Sequence, residues 1–154
     1  MRIRQFPLSL NVGTDIVHIP RIHRLITSTT YLNRFTRRIL CDQELQFFRT
    51  KFLPSQNVTD LPRAPSGFIS SDTQAMARWL AGRFAAKEAA RKAAPGGAAS
   101  ISWKDVMVRV EDETGGRPEV VYLQKGGAMA ELGKLSISHD GEYVVATVLA
   151  ASSK

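Results

Sequence analysis

The stretch Trp79–Ala94, reading WLAGRFAAKEAARKAA, constrains the fold of this chain more than any other. It is almost wholly Ala, Leu, Arg, Lys and Glu, all good helix formers, and Gly82 is its one weak position. Ahead of it, Ser71-Asp72-Thr73-Gln74 has capping-box spacing, with Ser71 at the N-cap and Gln74 three residues on. Pro95-Gly96-Gly97 ends it. Met76, Leu80 and Phe84 recur every four residues, with Trp79 five before Phe84, so one apolar face is predicted to enter a core. Arg83 lies one turn before Lys87, and Glu88 one turn before Lys92. A half-buried helix with a solvated charged side accounts for this pattern. The sharper reading is that one carboxylate among three cations, on a surface of short alanines, suits a metal with a polyphosphate.

A length of 154 residues fits one domain spanning 1–154, with a loop inserted at about 53–69. Hydrophobic residues make up 44% and charged residues 23%, which excludes wholesale disorder. No apolar run approaches the roughly 20 residues of a membrane span. The single cysteine, Cys41, excludes an internal disulfide framework and reads as a packing residue. The net charge of +7 calls for an acidic partner, which charge alone does not identify.

In chain order, Leu8, Leu10 and Val12 alternate with polar positions, and the strand continues through Gly13-Thr14-Asp15-Ile16-Val17. Aspartate is disfavoured inside strands, so Asp15 is either a strand-end residue or a metal ligand on a rigid element. Pro20 opens a helix that carries Ile22 and Ile26 on one side. A second helix is predicted from Tyr31 to Leu40, and a third capped by Asp42. Arg21, Arg24, Arg34, Arg37 and Arg38 fall in a run with no acidic residue, which reads as a solvated basic face or a docking surface for something acidic. Leu53–Ile69 is rich in Pro, Ser, Asn, Asp and Gly and reads as the long loop.

After the central helix, Val106, Val108 and Val110 mark a half-buried strand, and Glu119–Leu123 returns as another. A short helix is predicted around Ala128–Leu132, then a strand over Leu135–His139, a tight turn at Asp140-Gly141 and a closing strand over Tyr143–Ala150. Strand, helices and then antiparallel strands give an α+β class.

Phosphate-loop, dinucleotide, zinc and nucleophile-elbow patterns are all absent from the sequence. What remains is the carboxylate pair Asp15 and Glu88, on different elements, with basic residues beside Glu88. Magnesium typically takes one or two carboxylates together with waters and phosphate oxygens, an arrangement that serves phosphoryl-type transfer. A non-catalytic nucleic-acid-binding module would explain the charge, but the arginine run lacks interleaved aromatics for base stacking and the carboxylates would stand idle. A protein that only docked on an acidic partner and had lost catalysis should lack the carboxylate pair, which this chain has.

Gly13-Thr14-Asp15-Ile16-Val17 with Ile19 and Arg21 resembles the first motif of the 4'-phosphopantetheinyl transferases. Arg78–Ala89 with Lys92-Ala93 resembles their second. Gly116-Arg117-Pro118 is similar to a short glycine–basic–proline turn of that family, and Ser136-Ile137-Ser138-His139 with Tyr143 and Ala146 to its Ser-His strand. The short single-repeat subclass, holo-[acyl-carrier-protein] synthase, is the best match, and the similarity spans most of Val12–Leu149 in order.

The resemblance implies the α+β phosphopantetheinyl transferase fold, with antiparallel strands packed on a long central helix. It also implies transfer of the phosphopantetheine arm of coenzyme A to a serine of an apo acyl carrier protein, with release of 3',5'-ADP, a step that serves fatty acid biosynthesis and lipid metabolism. Asp15 and Glu88 would hold Mg2+ and, with Lys92, form the catalytic set. Arg83, Lys87, Lys92, Gly116, Arg117, Pro118, Ser138 and His139 would bind coenzyme A. Arg21, Arg24, Arg34 and Arg38 would face the acidic carrier. The implied assembly is a homotrimer with sites at subunit interfaces, and neither nucleic acid nor a membrane is an implied partner. The 53–69 loop and the closing strands are similar to a fungal, mitochondrial-type member, which implies the matrix rather than the cytoplasm. Asp140 stands where many members carry a hydroxyl residue, which removes one expected cofactor contact.

Overall fold

The computed structural model describes residues 7–53, 71–110, 116–123 and 130–152. Strand β1 (Leu10–His18) leads into helices α1 (Ile19–Ile26), α2 (Thr29–Ile39) and α3 (Asp42–Phe52), then the long α4 (Ser71–Ala93). A 3₁₀ turn at Trp103–Asp105 precedes β2 (Val106–Val110), β3 (Pro118–Tyr122), β4 (Glu131–Asp140) and β5 (Tyr143–Ala151). The strands form one antiparallel sheet in the order β1-β5-β4-β3-β2, so the first strand closes against the last. This is the expected α+β architecture.

Helix α4 lies on one face of this sheet, and its interior is made of small side chains. Ala77, Leu80, Ala81, Ala85, Ala86, Ala89, Ala90 and Ala93 are all fully buried. Met76, Trp79 and Phe84, expected to lead the apolar face, are only partly buried at its margin. Alanines let the sheet approach closely, and Gly13 on β1 carries this furthest. A Cβ at Gly13 would stand 2.0 Å from the Ala89 carbonyl oxygen and 2.8 Å from the Ala93 nitrogen. The side of α4 that the sheet leaves free meets the other helices. Trp79 packs on Phe48 and Phe52 of α3, with ring centroids 5.7 and 5.8 Å apart, and Phe84 meets Phe35 of α2 edge-on at 5.6 Å.

Three expectations need correction. Cys41, not Asp42, caps α3, because Glu44 at the third helical position reaches back to accept from the Cys41 amide at 3.1 Å. Glu131 and Leu132 belong to β4 rather than to a helix, since they pair with Tyr122 and Val121 of β3; the rest of the helix predicted at 128–132 lies almost wholly outside the described residues, as does the 53–69 loop apart from Leu53. The β4–β5 turn is centred on Gly141 and Glu142 rather than Asp140 and Gly141, for Asp140 still pairs with Tyr143. Gly141 takes φ +52° and no non-glycine residue described here has positive φ, so only the first central position is left-handed, as a type II′ hairpin turn requires.

Candidate active site at the β1–α4 contact

Alternation along β1 points Gly13, Asp15 and Val17 toward α4. The close approach at Gly13 brings Asp15 against Lys92 one turn along the helix. The Lys92 ammonium donates to Asp15 Oδ1 at 2.9 Å and to the Thr14 carbonyl at 2.8 Å. This pair joins residues 77 positions apart and stays open to solvent, the lysine side chain 45% and the aspartate 19% exposed. Glu88 lies one turn before Lys92 on the same side of α4. Its Oε1 accepts from the Trp103 indole N–H and from Arg91 at 3.1 Å. Arg91 is itself fixed by the carbonyls of Ile101 at 2.9 Å and Ala98 at 2.6 Å.

Each carboxylate is thus held by one oxygen, and the other, Oδ2 of Asp15 and Oε2 of Glu88, has no hydrogen-bond partner among the described residues. Two such hard oxygen donors beside a lysine fit a magnesium ion that completes its shell with water and phosphate. No cluster of three or more His, Cys, Asp or Glu occurs among the described residues, which excludes an all-protein cage there and suits this sparse donor set.

Lys87 does not join them, and its expected contact with a phosphate is corrected. Its side chain is wholly buried, 2.6 Å from Glu44 Oε2, and it donates to the carbonyls of Trp103 and Val106. Burial pushes its pKa down while Glu44 opposes the shift. With all three N–H bonds committed, this ammonium is internal structure. Arg83 also faces inward. Its guanidinium lies 3.4 Å from the Trp79 ring centroid, and burial lowers its pKa to about 10, so it stays charged at neutral pH.

The residues expected at the nucleotide are set apart from the carboxylates within one chain. His139 points toward α4, where a Cβ on Gly82 would stand 3.9 Å from its Nε2. Burial, and then the Arg78 charge, hold its pKa below the usual histidine value. Gly82 lies six residues before Glu88 and ten before Lys92, about 9 and 15 Å along the helix. Ser138 points to the opposite face of the sheet from His139, so the two do not share a surface. Arg117 is exposed beside Gly116, whose φ is +78°, and Pro118 begins β3. Arg21 and Arg24 on α1 and Arg34 and Arg38 on α2 are all exposed, as a docking face requires.

Trp103, Arg91 and Glu44 escaped the sequence reading. Arg91 was accessible as the i,i+3 partner of Glu88. Glu44 stood at capping-box spacing behind Cys41. Nothing in the sequence singles out Trp103.

The model of the 4'-phosphopantetheinyl transferase superfamily matches residues 11–148. The chain is 57% identical to a protein of Aspergillus fumigatus named 4'-phosphopantetheinyl transferase B, mitochondrial, covering 98% of this chain and 99% of that one. It is 30% identical to a holo-[acyl-carrier-protein] synthase of Caldanaerobacter subterraneus, over 96% of this chain and 98% of that one. Among solved structures, a holo-(acyl-carrier-protein) synthase of Bacillus anthracis in complex with CoA (3',5'-ADP) superposes with a TM-score of 0.61 at 29% identity, covering 93% of this chain and 96% of that one. A Plasmodium yoelii acyl carrier protein synthase with ADP bound gives a TM-score of 0.64 at 25% identity, over 94% of this chain and 96% of that one. By the match over most of its length, by its close relative and by its fold, the chain belongs to the 4'-phosphopantetheinyl transferase superfamily.

Proposed function

We propose that the chain transfers the 4'-phosphopantetheine arm of coenzyme A to a serine of an apo acyl carrier protein, as a magnesium-dependent holo-[acyl-carrier-protein] synthase. The observation that carries this reading is the β1–α4 contact, which pairs Asp15 with Lys92, the residue one helical turn beyond Glu88, in a chain of this family. Asp15 and Glu88 would hold Mg2+ through their second oxygens. Bound there, the ion neutralises charge on the diphosphate. Lys92, half-exposed and already paired with Asp15, supplies a second positive charge as the serine oxygen bonds to the pantetheine phosphorus and the bond to 3',5'-ADP breaks. The serine proton is released with the products. Arg117, Pro118 and His139 would contact the nucleotide, and the exposed arginines of α1 and α2 the acidic carrier.

The assembly reading is a homotrimer. Only one face of the sheet is covered by α4. The other carries Val12 (64% exposed), Ile16 (61%), Leu149, Tyr143 and Leu132, an apolar surface suited to a second copy of the chain. Separation of His139 from Asp15 within one chain supports a site completed by a neighbour. The Aspergillus relative's name supports the mitochondrial matrix.

Incubation with coenzyme A, Mg2+ and a purified apo carrier, followed by weighing the carrier, tests the proposal. A mass increase of one phosphopantetheine is expected, and it should vanish with chelator and in Asp15→Ala and Glu88→Ala. An unchanged carrier, or full turnover by either folded variant, would sink the reading.

A further inference from the structure

Glu88 is held on its helix by a residue that arrives from outside it. Trp103 sits in the 3₁₀ turn before β2, and its backbone and ring do separate work. The carbonyl accepts from buried Lys87 at 2.9 Å, which ties the turn to α4. The indole N–H donates to Glu88 Oε1. Two guanidinium groups lie over the ring, Arg91 of α4 at 4.4 Å and Arg38 of α2 at 4.8 Å from its centroid. The half-buried ring is therefore located by a buried ammonium through its backbone and by two cations through its π-system.

We infer that Trp103 is a positioning residue for the metal-binding carboxylate. A glutamate side chain turns about three torsions, and Glu88, its side chain 18% exposed, would without partners be free to choose among rotamers. Two N–H donors on Oε1 occupy the lone pairs of that oxygen and fix the plane of the carboxylate. Oε2 is then the oxygen presented to a cation. Arg91 alone does not do this, because its guanidinium is also engaged with the Ile101 and Ala98 carbonyls and grips Glu88 through a single nitrogen. The indole supplies the second direction. Its donor carries no charge, so it orients the carboxylate without adding a second full positive charge that would repel Mg2+. The inference rests on the proposed role of Glu88 as a metal ligand.

The variant that removes the N–H is Trp103→Phe, which keeps a six-membered aromatic ring for Arg38 and Arg91 and loses the donor to Glu88 together with the pyrrole part of the indole. Binding of Mn2+, in place of Mg2+, is measured from the loss of the free-ion paramagnetic resonance signal at saturating coenzyme A. The expected result is Mn2+ binding about tenfold weaker than in the parent, the lower end of the usual effect of removing a partner behind a metal ligand. In turnover assays the Mg2+ concentration for half-activation should rise by a similar factor. At saturating Mg2+, kcat should recover to near the parent value, with KM for the carrier unchanged. A merely structural role would lower the melting temperature and the amount of active enzyme, but would leave the Mn2+ affinity of the folded fraction untouched. Equal Mn2+ affinity in parent and Trp103→Phe overturns the inference and leaves the magnesium reading standing. Absence of Mn2+ binding in the parent itself overturns both.

Discussion

Gly13 shows how a single missing Cβ sets the distance between the two elements that carry the site. The backbone oxygen of Ala89 occupies the space a side chain would need, and the neighbouring atoms are Ala93 N and Lys92 Cβ, so nothing flexible can move aside. Gly13→Ala should therefore cost at least the upper end of the usual 1–3 kcal/mol for overpacking. Any folded remainder should have β1 lifted from α4 and the Asp15–Lys92 pair broken. Chemical unfolding with a parallel turnover assay checks it; a variant within about 0.5 kcal/mol of the parent and fully active would mean that the helix and strand can separate freely. Asp15 and Glu88 stood out in the sequence as candidate ligands because acids are out of place in a strand and scarce on an Ala-rich helix. That Asp15 meets Lys92 was not, since the contact depends on two elements docking across 77 residues. Lys87 was misread for the same reason. A lysine beside Glu88 looks alike whether it faces solvent or a buried glutamate 43 positions earlier.

That buried pair belongs to the scale of elements, because it joins four of them. Glu44 of α3 accepts from the Cys41 amide at its own N-terminus and from Val108 of β2 at 2.9 Å, while Lys87 of α4 reaches the Trp103 turn. Polar groups that would each be costly to bury alone satisfy one another. Lys87→Met would leave Glu44 ionised without its counter-charge, and should destabilise the fold by about 3–5 kcal/mol. Glu44→Gln with Lys87→Met removes both charges and keeps an acceptor for Val108, so the double variant should be less destabilised than Lys87→Met alone. Denaturant unfolding of both singles and the double measures the coupling, and strict additivity would show that the two charges act independently. The elements themselves were largely readable. Alternation gave β1, β2 and β5, the arginine-rich helices followed their apolar spacing, and α4 was marked by composition and by its Pro-Gly-Gly stop. The segment beginning β4 was taken for a helix because Leu132 and its alanine neighbours favour one, whereas pairing with β3 overrides local preference.

At the scale of the whole molecule, the charge is unevenly placed. Arg21, Arg24, Arg34, Arg37 and Arg38 are exposed on two consecutive helices, and the sheet face opposite α4 carries exposed Val12, Ile16, Tyr143 and Leu149. One surface is suited to an acidic partner and the other to copies of the same chain. Arg21→Glu should raise KM for the carrier about tenfold, with the parent losing carrier affinity as salt rises, while coenzyme A binding changes little. Equal loss of cofactor and carrier binding would instead make Arg21 part of the site or of the fold.

The proposed trimer makes the sharper claim, that one chain cannot complete a site. Asp15, Glu88 and Lys92 gather near the C-terminal end of α4, whereas His139 lies against Gly82, six residues before Glu88 and ten before Lys92, about 9 and 15 Å back along the same helix. A nucleotide held by His139 and a metal held by Asp15 and Glu88 are most simply brought together if they belong to neighbouring chains. Glu88→Ala and His139→Ala should each be inactive as pure assemblies. Co-expressed, they should form mixed rings in which some interfaces pair an intact carboxylate set with an intact histidine. For random mixing at equal ratio, about a quarter of interfaces qualify when each combines two independently drawn chains. Recovered turnover near that fraction of the parent, in trimers whose mixed composition is verified by mass, is the expected outcome. Mixed trimers without activity, or an active monomer in light scattering, would return the whole site to a single chain and require His139 to act away from the nucleotide.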